Sequence, residues 1–174
     1  MRILRGVSAV ALLAGALAPE FSRYGAERTL RVVLSALRVV ITRPSEVPDP
    51  ALALDRIAAI ATAAAPSLPG DSRPAMVAGG ARLAGGRLDA AIESYREALA
   101  LGERAETDLN LGRAYEGKGD ADRSHAAFLR AVWISPALLS AVLPDVAATL
   151  REELVRLEAE LRAGRLKAPP PLPE

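Results

Sequence analysis

Between Pro74 and Pro136 the chain says the same thing twice. Gly79, Gly86, Leu88, Tyr95, Ala98 and Leu101 return thirty-three residues later as Gly112, Gly119, Ala121, Phe128, Ala131 and Ile134. A period near 34 residues marks stacked helical hairpins, because one hairpin cannot bury its own apolar face and must lean on a neighbour. The echo therefore predicts an all-α fold whose middle is a pair of hairpins. A stack of this kind works by presenting a surface.

Composition agrees. Of 174 residues, half are apolar but only six are aromatic, and alanine, which favours helix and lets helices approach closely, supplies much of the remainder. Cysteine is absent, which excludes disulfides and thiolate chemistry. Arginine outnumbers lysine twenty to two, a bias read as that of a GC-rich bacterial genome. No basic stripe with interleaved aromatics is present, so no nucleic-acid partner is expected. The single histidine, His125, has no Ser/Asp set to join and reads as a packed or rim residue. The Gly79-Gly80 and Gly85-Gly86 pairs lack the lysine of a phosphate-binding loop. We expect no enzyme, no metal, no cofactor and no small-molecule substrate.

The charge is uneven. Residues 1–43 carry seven arginines against Glu20 and Glu27, while the rest of the chain is mildly acidic. Residues 1–21 place Arg2 and Arg5 ahead of an uncharged run from Val7 to Ala18. That is the form of a cleavable signal peptide or of an uncleaved anchor; a buried soluble helix is the third reading. Ile3 to Phe21 as a helix would span about 28 Å at about 1.5 Å per residue, close to a hydrocarbon core of about 30 Å. Residues 22–43 read as a basic amphipathic helix, with Ala26, Leu30, Val33, Leu34, Leu37, Val40 and Ile41 on one side and Arg28, Arg31, Ser35, Arg38 and Thr42 on the other. Its apolar side suits either a membrane surface, over residues 26–41, or the body of the protein.

Residues 44–70 are a Pro-rich linker and a helix over Ala51–Ala65, capped by Asp49 with Pro50 at its first position. Its stripe of Leu54, Ile57, Ala58 and Ala61 reads as the cap on the open end of the stack. Residues 137–164 should close the other end with a short helix and a longer one, whose seam is Val146, Leu150, Leu154, Leu157 and Leu161. Residues 165–174 form a Pro-rich tail expected to be disordered.

Residues 71–136 resemble two tandem tetratricopeptide (TPR) repeats. The second carries Leu111-Gly112, Ala114-Tyr115, Gly119-Asp120, Phe128, Ala131 and Pro136; the first keeps Ala78-Gly79, Gly86, Ala91, Tyr95, Ala98 and Leu101. Arg82 stands where the family usually has an aromatic, and Glu103 where proline is usual. The resemblance implies a helical-hairpin repeat domain that binds a protein partner on its concave face, lined by the first helix of each unit. It maps that face to Arg73, Met76, Gly80, Leu83, Glu106, Leu109, Asn110, Arg113 and Glu116. Together with the amino-terminal segment it implies a membrane-anchored interaction scaffold on the periplasmic side of a bacterial inner membrane, or free in the periplasm if the segment is cleaved. The alternative is a structural accessory subunit of an integral membrane complex.

Overall fold

A computed structural model describes the backbone of residues 2–173 and the side chains of residues 20–173. Among the described residues there are seven α-helices, three 3-10 helices and no strand. The all-α expectation holds. The helices are α1 (Arg2–Thr42), α2 (Pro50–Ala64), α3 (Arg73–Ala84), α4 (Leu88–Leu101), α5 (Ala105–Gly117), α6 (Ala121–Ile134) and α7 (Pro144–Arg162). Each packs chiefly on its neighbours in sequence.

The two central hairpins are held by the residues the echo singled out. A methyl group on Gly79 would stand 2.7 Å from the Tyr95 ring, and one on Gly112 2.5 Å from the Phe128 ring. Both distances are well inside van der Waals contact, so only glycine lets each aromatic lie flat on the preceding helix. Gly86 and Gly119 turn the chain between the paired helices with φ of +72° and +75°. Asp120 caps α6, its carboxylate accepting from the Arg123 amide at 3.2 Å.

The two departures from the repeat pattern have partners. Arg82 donates to the Ala90 carbonyl at 3.5 Å and to the hydroxyl of buried Ser94, bridging α3 to α4 where an aromatic would have filled space. Glu103 forms a two-pronged ion pair with Arg130, at 2.5 and 2.6 Å, tying the α4–α5 loop to α6.

The front of the body differs from expectation. α2 is not a terminal cap. It sits between α3 and α1, and its buried Leu54, Ile57, Ala58, Ala61 and Ala64 share one cluster with Ala26, Leu30, Val33, Leu37 and Val40 of α1 and Val77, Ala78 and Ala81 of α3. α1 and α2 thus make a hairpin of their own ahead of the two echoed ones. α2 begins as its sequence predicts, with Asp49 accepting from the Leu52 amide at 2.9 Å and Pro50 opening the helix.

α1 runs from Arg2 to Thr42 without a break, through the boundary drawn at residue 21. The signal or anchor read over residues 1–21 depends on side chains that, up to Pro19, lie outside the described residues. Among the described residues no helix is long and apolar enough to cross a membrane.

At the other end α7 buries Ala147, Leu150 and Leu154 on α5 and α6, while Leu161 projects past the body and is 52% exposed. His125 bonds Glu153 of α7 at 2.8 Å, which makes it a rim residue. The tail has no helix or strand among the described residues. Pro170 is buried, and its carbonyl accepts from Arg130 Nη1 at 2.8 Å. That bond satisfies a guanidinium edge which Glu103 leaves free.

Candidate functional site

α1, α3 and α5 share one face, and a cleft of about 610 Å³ opens on it. α1 contributes Leu30, Arg31, Leu34, Leu37 and Ile41; α3 contributes Arg73, Met76, Val77, Gly80, Leu83 and Ala84; α5 contributes Asn110 and Arg113. Tyr95 reaches it from α4, and Arg104 stands at its edge just before α5. Two walls are therefore mostly aliphatic and the third is polar and cationic.

Helix periodicity explains the aliphatic wall. On α1, Leu30, Val33, Leu37 and Val40 turn into the body, while Leu34 and Ile41 lie on one flank of that stripe and stay half exposed, each at 54%. They have no covering side chains because they face the cleft. On α3, Gly80 keeps the floor low: a methyl group there would come within 3.2 Å of Leu37.

The polar wall is partly committed. Arg113 donates to Asn110 Oδ1 at 3.0 Å and to the Ala141 carbonyl at 2.9 Å. Arg73 pairs with Asp71, its Nε donating to Oδ2 at 2.8 Å. That side-chain bond, with the Arg73 amide adding a second, holds the Asp71 carboxyl below its ordinary range. Arg31 and Arg104 have no carboxylate within 4 Å among the described residues.

Tyr95 is 1% exposed and its hydroxyl has no hydrogen-bond partner among the described residues. Burial raises the phenol's pKa well above its usual value, with Arg113 opposing, so the group is a neutral hydroxyl able to donate. It lies beside Gly80, 3.9 Å from where a methyl group there would sit.

Of the residues mapped from sequence, Arg73, Met76, Gly80, Leu83, Asn110 and Arg113 converge on the cleft. Leu109 does not: it is 5% exposed and packs with Phe128 and Leu150 in the α5–α7 cluster. One residue before Asn110 on a helix, it points about 100° away. Glu106 is exposed outside the cleft. Glu116 lies in a second hollow, with His125 and Val146.

The sequence reading missed the α1 wall. The signal was the width of the α1 stripe, since Leu34 and Ile41 are more than a single packing partner needs. It also missed Tyr95 as a lining residue, for which the one clue was a hydroxyl where the second unit has Phe128.

A second buried group stands away from the cleft. Asp108 on α5 is fully buried with neither oxygen hydrogen-bonded, and its pKa is pushed up to about 7, first by burial and then by the charge of Glu103, against the pull of Arg130. No protein-family model, curated protein or solved structure matches this chain.

Proposed function

We propose that residues 71–136 are two TPR-type units and that the chain is a protein-interaction scaffold carried at a membrane by its first helix. In this reading the membrane is a bacterial inner membrane, the body is periplasmic, and the partner docks on the face shared by α1, α3 and α5. The observation that carries it is the single concave face itself. Three successive hairpins turn one helix each toward it, and it gathers Arg73, Met76, Leu83, Asn110 and Arg113 around an uncovered apolar surface. The Gly79–Tyr95 and Gly112–Phe128 joints, alike in geometry and thirty-three residues apart, support the repeat assignment.

The test is intact mass and affinity purification of the native protein from gently solubilised membranes. A full-length mass with a stable set of co-purifying proteins is expected. A chain shortened by about sixteen to eighteen residues in the soluble fraction, at a small-residue site such as signal peptidases use, would overturn the anchor and leave a free periplasmic adaptor. A chain that recovers no partner from either fraction would overturn the scaffold.

The second reading, a structural accessory subunit lodged in a membrane complex, is favoured by the unbroken course of α1. A continuous helix joins its first residues directly to the body. Deleting residues 1–21 separates the two. A scaffold still finds its partner in solution, whereas a lodged subunit loses its complex.

A further inference from the structure

We propose that the floor of the α1/α3/α5 cleft is a binding site for a single-chain aliphatic carboxylate, a fatty-acid type of ligand. This ligand would occupy the floor of the face on which the scaffold reading docks a partner, but its binding does not depend on that reading.

The cleft has the dimensions of a small-ligand site. Its volume of about 610 Å³ falls in the range of about 300–1,000 Å³ typical of such pockets. The chemistry of its walls narrows the class. Leu30, Leu34, Leu37 and Ile41 on α1 run alongside Met76 and Leu83 on α3, an aliphatic trough. An extended peptide would bring a donor and an acceptor with every residue. The cleft offers them donors but few acceptors, because Arg31 and Arg104 can only donate and Asn110 Oδ1 already accepts from Arg113. An alkyl chain brings no such demand.

The head group is set by charge. Arg31 and Arg104 line the same cleft with no carboxylate within 4 Å among the described residues, and an arginine fork matches a carboxylate best. Asp71, whose charge is felt by Arg104, is itself bonded to Arg73.

The third observation is independent of the cationic edge. Tyr95 and Phe128 occupy equivalent positions and do the same packing work against Gly79 and Gly112. Packing therefore does not require the Tyr95 hydroxyl. Yet the hydroxyl, which Phe128 lacks, is present, buried and without a partner among the described residues, on a side chain that borders the cleft. A donor left in that state costs stability unless something accepts from it.

The experiment is calorimetric titration of the full chain with dodecanoate below its micellar concentration, and with 1-dodecanol as the uncharged control. We expect one dodecanoate per chain, bound at least tenfold tighter than the alcohol. Arg31→Gln with Arg104→Gln should remove that preference. Leu34→Glu, at a half-exposed position, should abolish binding of both while far-ultraviolet circular dichroism shows the fold intact. Tyr95→Phe should weaken dodecanoate severalfold and raise the melting temperature of the free protein, a pairing that a purely structural tyrosine would not give. No saturable one-to-one binding, equal affinity for acid and alcohol, or undiminished binding to Leu34→Glu would each overturn the proposal. Because co-purification reads the partner and titration reads the cleft, either result can fail while the other stands.

Discussion

The α1/α2 hairpin and the two hairpins that follow solve the same packing problem with different residues. In α3–α6 each joint is a glycine beneath an aromatic ring, Gly79 under Tyr95 and Gly112 under Phe128. In α1/α2 the joint is a broad set of aliphatic and alanine side chains, Leu30, Val33 and Leu37 against Leu54, Ile57 and Ala61, with no glycine required among the described residues. The first solution depends on one residue type at one place. The second tolerates many, and so leaves no pattern that repeats.

That difference governs what could be read in advance. Where geometry demands a special residue, as at Gly112 or at the Asp120 cap, the sequence announces the structure. Where ordinary hydrophobics suffice, periodicity reveals a helix but not its neighbour. The amphipathic stripe of α1 was legible, yet nothing in it distinguished a membrane surface from α2 and α3. The cleft was half legible for the same reason. Its α3 and α5 walls follow from the repeat, and its α1 wall follows only from tertiary packing. Leu109 was misplaced because a single helical step separates a lining position from a core one.

The contrast can be tested by attacking each kind of joint. Phe128→Ala should be the most damaging change, costing about 3–5 kcal/mol in thermal or denaturant unfolding, since it empties a fully buried aromatic site. Leu30→Ala strikes the first hairpin and should cost about 2–4 kcal/mol. If the three hairpins unfold as one body, Trp133 fluorescence, which reports the α5–α7 cluster, will shift together with the far-ultraviolet signal. Two separated transitions would show the first hairpin to be an independent unit.

Gly112→Ala should cost about 1–3 kcal/mol by overpacking, and Phe128→Leu in the same chain should recover part of that loss. Additive losses would mean that the glycine and the ring do not act as a pair. The same methyl added on the α1/α2 side has no such partner to meet.

Asp108→Asn should act in the opposite direction and stabilise by about 1–2 kcal/mol at pH 8. The folded pKa of Asp108, about 7, lies above the ordinary carboxylate value of 3.8, so the folded state holds a proton that the unfolded state has released. The native protein should therefore lose stability as pH rises from about 4 to about 7, and the variant should lose less. Identical pH profiles would remove Asp108 as the cause. The smallest effect expected is from Asp49→Ala, about 1 kcal/mol, through loss of the bond to the Leu52 amide at the start of α2.

Among the described residues the buried side chains fall into three clusters in chain order, one shared by α1–α3, one by the helices around Tyr95 and Tyr115, and one by α5–α7. Partners in space are thus close neighbours along the polymer, and little loop entropy stands between a nascent segment and its contacts. Such a chain should collapse quickly, and should be able to order itself from its first hairpin forward as it leaves the ribosome. Fluorescence of Trp133, in the last cluster, would then time the final event of assembly.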